Sequence, residues 1–143
     1  MFKIFIDPGH GGSDPGAVAN GLKEKDLTLT IALKIKHMLD NQFTGHIATL
    51  SRYRDDTLTL KERTDMANGW RADYLMSIHI NAGGGTGFES FTYHKQYPNK
   101  SKTNSVRKVI HAEIVNETGF RNRGKREANF HMLRESAMSA VVT

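Results

Sequence analysis

The sequence predicts an α/β fold: one domain on a mostly parallel, twisted sheet of about six strands, with helices on both faces. Three observations predict it. The 143 residues suffice for one domain with its own core. Strand-like and helix-like segments alternate along the first half of the chain, the order of a parallel sheet with crossover helices. The first and third strand-like runs are apolar with little alternation, as strands covered on both faces are.

Residues 3–7 form the first such run. Residues 8–21 hold five glycines and Pro15, which predicts a long loop, and long loops in small domains usually carry function. From Asp26 the pattern turns helical, with Leu27, Ile31, Ile35 and Met38 as its inward stripe. Residues 46–51 read as a second strand, and residues 60–70 as a helix with Leu60, Ala67 and Trp70 turned inward. Residues 74–80 are the third strand, residues 83–87 a second glycine-rich loop, and residues 88–94 an alternating strand. Residues 101–118 read as a helix resting on Val106, Ile110, Ile114 and Val115, ended by Gly119. Residues 130–134 and 140–143 read as two further strands. There is no repeat and no linker, so residues 1–143 are one domain.

Composition excludes several classes. With 38% apolar and 24% charged residues the chain is an ordinary globular protein. No stretch reaches the roughly 20 apolar residues of a membrane span, and the N-terminus lacks the apolar region of a secretory leader, so delivery to any target outside the membrane would fall to another agent. There are no cysteines, which removes disulfides and thiolate ligands. Any metal must be held by His and carboxylate. The net charge of +5 suits an anionic partner, yet no nucleic-acid-binding motif accompanies it, and a polyanionic cell wall suits it equally.

His10 falls just past the carboxyl end of the first strand, and His79 near that of the third. In a parallel sheet those ends share one edge, where open α/β sheets bind ligands. Glu24 lies on the loop returning from that edge, just before the first helix. Two imidazoles and one carboxylate leave a tetrahedral zinc one open position, the pattern of a catalytic site. Against this stands the plain fact that the chain has seven histidines, most of which must be ordinary residues.

The wider sequence decides the matter. Phe5-Ile6-Asp7-Pro8-Gly9-His10-Gly11-Gly12, then Glu24-Lys25-Asp26-Leu27-Thr28-Leu29, then Ser77-Ile78-His79-Ile80-Asn81-Ala82 resemble successive blocks of the zinc-dependent N-acetylmuramoyl-L-alanine amidases, the Amidase_3 family. The Leu-x-x-Arg-x-x-x-Ala-Asn run from Leu60 to Asn68, Gly87-Phe88-Glu89, Asn122-Arg123-Gly124, Phe130-His131-Met132-Leu133-Arg134 and Ser139-Ala140-Val141-Val142 also match, so the resemblance spans the whole chain. It implies that His10, Glu24 and His79 bind Zn2+ and that the substrate is peptidoglycan, cut between the lactyl group of N-acetylmuramic acid and L-alanine. It makes Asn81 a candidate for orienting substrate. Arg63 is expected to brace the second helix against the sheet, Glu89 to sit in an ion pair, and His94, His111 and His131 to be non-ligands.

One part of the family pattern is missing. Its general-base glutamate directly follows the last strand motif, which places it one position past Thr143, and the family's following Gly-Phe segment and terminal helix are absent too. No catalytic acid–base residue is therefore expected within the chain, and a polypeptide ending at Thr143 is expected to bind zinc and wall but to cleave weakly. The resemblance fits a phage endolysin, held in the host cytoplasm until lysis, or a bacterial autolysin of the mother cell, with a wall-binding domain downstream as a further option. Partners among membranes and nucleic acids are not expected. The competing readings are a zinc peptidase and a catalytically silent wall-binding module.

Overall fold

The computed structural model describes residues 1–81 and 85–143. Eight strands and four helices follow in the order β1 (Phe2–Pro8), β2 (Val18–Ala19), β3 (Leu22–Lys23), α1 (Glu24–Gln42), β4 (His46–Leu50), α2 (Leu60–Gly69), β5 (Tyr74–Ile78), β6 (Phe88–Tyr93), α3 (Lys100–Thr118), β7 (Asn122–Ala128), α4 (His131–Arg134) and β8 (Ser139–Val142). The main sheet has six strands in the order β4-β1-β5-β8-β6-β7, and β2 pairs with β3 alone. Strands β4, β1, β5 and β8 are parallel. Strand β6 runs antiparallel to β8 and parallel to β7, so the sheet is two parallel blocks joined at one antiparallel seam.

Alternation along the strands assigns each helix to a face. Ile6, Leu50 and Ile78 meet Ala32 of α1 in one cluster, with Ile35 and Leu39 against it. Phe5, Leu75, Ala140 and Val142 point the other way and meet Ala67 of α2 and Met132 and Leu133 of α4. Helix α3 shares the α1 face, because its Thr103 bonds Ser139 and its His111 bonds Ser90. From β1 the chain crosses by α1 to β4 on one side, then by α2 over to β5 on the other. The strand order therefore reverses between β1 and β5, and the crevice at such a reversal is where open α/β sheets place ligands.

Several expectations need correction. Helix α1 begins at Glu24 rather than Asp26, and its buried line is Glu24, Thr28 and Ala32. Ile31 and Met38 are exposed and Leu27 is half-buried, because β1 and its loop press small and polar positions of α1 inward. Leu60 is likewise exposed, at the first position of α2, while Ala67 is buried as expected. Thr59 and Glu62 start α2 with a reciprocal capping box. In α3 the buried residues are Thr103, Arg107 and His111, flanked by half-buried Val106, Ile110, Ile114 and Val115. The expected strand at residues 130–134 is the short helix α4, preceded by the unforeseen strand β7. Its run Asn-Arg-Gly-Lys-Arg-Glu-Ala has no apolar alternation, since β7 is the sheet's outer edge, where charge blocks further pairing. Within the second glycine-rich loop, residues 83 and 84 lie outside the described residues. Gly119 ends α3 in the left-handed conformation, as expected.

Candidate metal centre

The centre is built from the ends of β1 and β5 and the first residue of α1. After Pro8 the chain turns sharply, with His10 itself at φ 60°, a left-handed conformation that a non-glycine residue holds only when its surroundings enforce it. Two buried arginines provide the enforcement. Arg63 of α2 donates to the carbonyls of Pro8 (2.8 Å) and His10 (2.7 Å), and Arg52 donates to those of Pro8 (3.1 Å) and Gly9 (3.0 Å). Arg63 also forms a buried ion pair with Asp7 at 2.8 Å. Ser51 and Ser77 donate the remaining bonds to that carboxylate, at 2.6 and 2.7 Å. Arg63 thus does more than brace its helix, because it fixes the backbone that carries His10.

His10, Glu24 and His79 converge, each offering a donor atom within 4.8 Å of the others, and they could hold a metal ion. Glu24 Oε2 lies 3.2 Å from His10 Nε2, and Glu24 Oε1 lies 3.1 Å from His79 Nδ1. The two imidazoles stand edge to face, 5.0 Å between centroids. On the outer side of His10, Asp14 Oδ2 sits 2.8 Å from Nδ1. A carboxylate only accepts, so it places the proton on Nδ1 and leaves the Nε2 lone pair facing Glu24. Such an outer carboxylate behind a ligating imidazole is the usual partner of a metal-bound histidine. His10, with the backbone N–H of Gly16, in turn holds Asp14 below its ordinary pKa.

Burial pushes the Glu24 pKa up. The hydrogen bond to His79 and the backbone N–H groups of Ala17 (2.9 Å) and Ile80 (2.8 Å) outweigh it and bring its pKa to about 2. Glu24 therefore offers an anionic oxygen near neutral pH, and the first turn of α1 adds a favourable dipole. Two glycines make the close packing possible. A Cβ on Gly9 would lie 2.5 Å from the His79 ring, and one on Gly16 would lie 2.6 Å from the His10 ring and 2.7 Å from Glu24. The donor set, two nitrogens and a carboxylate in a cradle closed to larger side chains, fits a divalent ion of the zinc type.

The cluster opens into a cleft of about 500 Å³, lined also by Leu60, Ile80, Asn81, Phe91, Phe130, Met132, Val142 and Thr143. This is the size and apolar character of a small-ligand site. Asn81 lies on its wall, and Glu89 pairs with Arg126 and Arg123 beside it. His94 and His111 stand apart from the cleft, while His131 lines it with its Nε2 on Thr64. Sequence reasoning missed Asp14, Arg52 and Thr28, whose hydroxyl bonds the Gly9 carbonyl at 2.8 Å. Arg52 carried a usable signal, since it follows β4 at the same sheet edge as His10.

A parallel sheet with two imidazoles and a carboxylate at its reversal point defines a class of α/β domain with a candidate metal site. Residues 4–143 match the N-acetylmuramoyl-L-alanine amidase (Amidase_3) family model, and the chain belongs to that family. It is 53% identical over 144 residues to the sporulation-specific N-acetylmuramoyl-L-alanine amidase of Bacillus subtilis (strain 168), covering 100% of this chain and 55% of that one. It is 40% identical over 144 residues to the endolysin of Bacillus phage SPP1, covering 98% and 52%. The crystal structure of an N-acetylmuramoyl-L-alanine amidase from Clostridium difficile 630 superposes with a TM-score of 0.92 at 37% identity, covering 99% of this chain and 77% of that one. The chain thus spans about half the length of the curated relatives it matches. Among the described residues no helix is long and apolar enough to cross a membrane.

Proposed function

We propose that the cleft hydrolyses peptidoglycan at the amide between the lactyl group of N-acetylmuramic acid and the L-alanine of the stem peptide, with zinc held by His10, Glu24 and His79. The observation that carries this reading is the convergence of those three donors at the floor of an open cleft, in a chain of this family. Zinc bound there supplies Lewis acidity toward the scissile carbonyl and acidity to a water. The chain's own residues do the rest. Glu24 contributes the neutralising charge, Asp14 orients His10, and Arg52 and Arg63 keep the His10 backbone in its strained turn. Phe91, Phe130, Met132 and Val142 give the cleft apolar walls that exclude bulk water from the reacting amide. Asn81 supplies a polar contact for the substrate.

The proton carrier is proposed to be a glutamate directly following Thr143. Supporting this, Thr143 lines the cleft, and its backbone is tied beside His79: His79 N–H donates to the Thr143 carbonyl and Thr143 N–H to the Ser77 carbonyl, both at 3.0 Å. Acid–base catalysis by such a residue is typically worth 10²–10⁴-fold. The setting is a lytic one, as an endolysin or a sporulation autolysin.

The test is to incubate zinc-loaded protein with purified peptidoglycan and identify the new amino termini by mass spectrometry. Intact stem peptides beginning with L-alanine are expected. Release of D-alanine, or of peptides cut internally, would replace the amidase with a peptidase. Wall binding with no new amine, even in a chain extended past Thr143, would leave only a binding module.

A further inference from the structure

Two residues past His79, Asn81 stands on the cleft wall, and its amide has one partner among the described residues: Nδ2 donates to Glu89 Oε1 at 2.5 Å. Glu89 is the second residue of β6, at a register shift between Phe88 and Glu89, the kind of bulge that re-aims a side chain. Only 7% of its surface is exposed. Its other oxygen faces the guanidinium groups of Arg126 at 3.1 Å and Arg123 at 3.8 Å, a countercharge for the buried carboxylate.

An ionised carboxylate has acceptors only, so the amide must turn its NH2 toward Glu89. The oxygen and nitrogen of an asparagine are otherwise interchangeable in shape, and here one orientation is excluded electrostatically. Asn81 Oδ1 is left as an acceptor with no partner among the described residues. We propose that Glu89 is a positioning residue for substrate: it locks the Asn81 amide so that Oδ1 accepts a hydrogen bond from a peptide N–H of the bound muramyl peptide. The proposal rests on the amidase reading for its ligand. It assigns Glu89 a role beyond its ion pair, which would hold β6 to β7 equally well with Asn81 absent. The charge behind the amide also polarises Oδ1, strengthening it as an acceptor. A substrate group lacking a donor at this point would meet an unpaired oxygen and bind worse.

The test compares Glu89→Gln, Asn81→Asp and the double variant in zinc-loaded protein. Glu89→Gln frees the amide to turn, and Asn81→Asp sets two carboxylates against each other. Each should raise KM for a soluble muramyl peptide by about tenfold with kcat changed far less, the size expected for one hydrogen bond. The double variant restores an acceptor at position 81 facing a donor at position 89, and KM should return to within about threefold of the parent. Independently of turnover, the Asn81 side-chain NH2 resonances should show one proton shifted downfield in the parent, lose that shift in Glu89→Gln, and move on adding N-acetylmuramyl-L-alanyl-D-isoglutamine to the parent. An active parent with unchanged KM in Glu89→Gln, or single-variant losses that simply add in the double, would overturn the positioning role while leaving the amidase reading intact. Resonances that respond to the muramyl peptide in a parent producing no L-alanine termini even when extended past Thr143 would overturn the amidase reading and support the positioning role.

Discussion

Helices α1 and α3 are each 19 residues long, lie on the same face of the sheet, and bury a short row of mostly polar side chains against it. In α1 the row is Glu24, Thr28 and Ala32; in α3 it is Thr103, Arg107 and His111. The α3 row is nearly closed on itself. His111 meets Ser90 through Nδ1 (2.8 Å) and Asn122 through Nε2 (2.9 Å), Thr103 donates to Ser139, and Arg107 donates to the Arg126 carbonyl. The α1 row opens into the cluster of His10, Glu24 and His79, three possible metal donors within 4.8 Å of one another, next to a strained His10. Burial and residue type do not separate a structural polar row from a functional one. Leftover coordination capacity and backbone strain do.

The sharpest way to break that comparison is to remove a ligand. His79→Ala should weaken zinc binding by more than about 100-fold, beyond the usual cost of an outer-shell change. In the parent, stripping zinc with a chelator should lower Tm, since an ion at 100 times its Kd stabilises the folded state by about 2.7 kcal/mol. In His79→Ala the chelator should leave Tm unmoved. A chelator shift of equal size in both would place the ion elsewhere.

Arg63→Ala tests whether the enforcement behind His10 is as costly as its burial implies. It leaves Asp7 charged and unpaired in the interior, a loss of about 3–5 kcal/mol, or roughly 10 °C in Tm for a domain of this size. Zinc affinity should fall with it, because the His10 carbonyl loses the Arg63 donor and the Pro8 carbonyl keeps only Arg52. Loss of stability with full zinc affinity would show that the turn holds itself.

Asp14→Asn acts more locally. The amide can donate to His10 Nδ1 and so stabilise the wrong tautomer, and zinc affinity should drop by about 10–100-fold with little change in Tm of the metal-free protein. Isothermal titration on the parent and the variant reads both effects. An unchanged affinity would make Asp14 a turn residue only.

Much of this was legible in the residues themselves. The sheet, its parallel block and the meeting of His10, Glu24 and His79 follow from where the histidines fall relative to apolar runs, because strand ends at one edge must converge. Strand β7 was hidden for the converse reason: an edge strand needs charge rather than apolar alternation, so its Lys125 and Arg126 read as loop. The inward stripes of α1 and α3 were misread because the sheet surface beneath them is crowded by loop backbone and hydroxyls, which admit Thr28 and Thr103 more readily than Ile31 or Val106. Asp14 acts on His10 across a turn, through a contact that no strand or helix period encodes, whereas Arg52 reaches its backbone from the neighbouring strand end.

The smallest effect tests the α3 side. His111→Leu removes the middle of the chain, leaving the Ser90 hydroxyl unanswered and Asn122 Oδ1 with only the Gly124 N–H, at a cost of about 1–3 kcal/mol. His111→Gln can keep one of the two contacts and should lose less. In both variants zinc affinity should stay within about twofold of the parent, because nothing in the chain from Ser90 to Asn122 touches the ligands. Thermal melts of the metal-free proteins measure the first quantity and zinc titration the second. Should His111→Leu weaken zinc as strongly as Asp14→Asn, the two rows would be one coupled network, and α3 would belong to the machinery of the cleft rather than to the scaffold beside it.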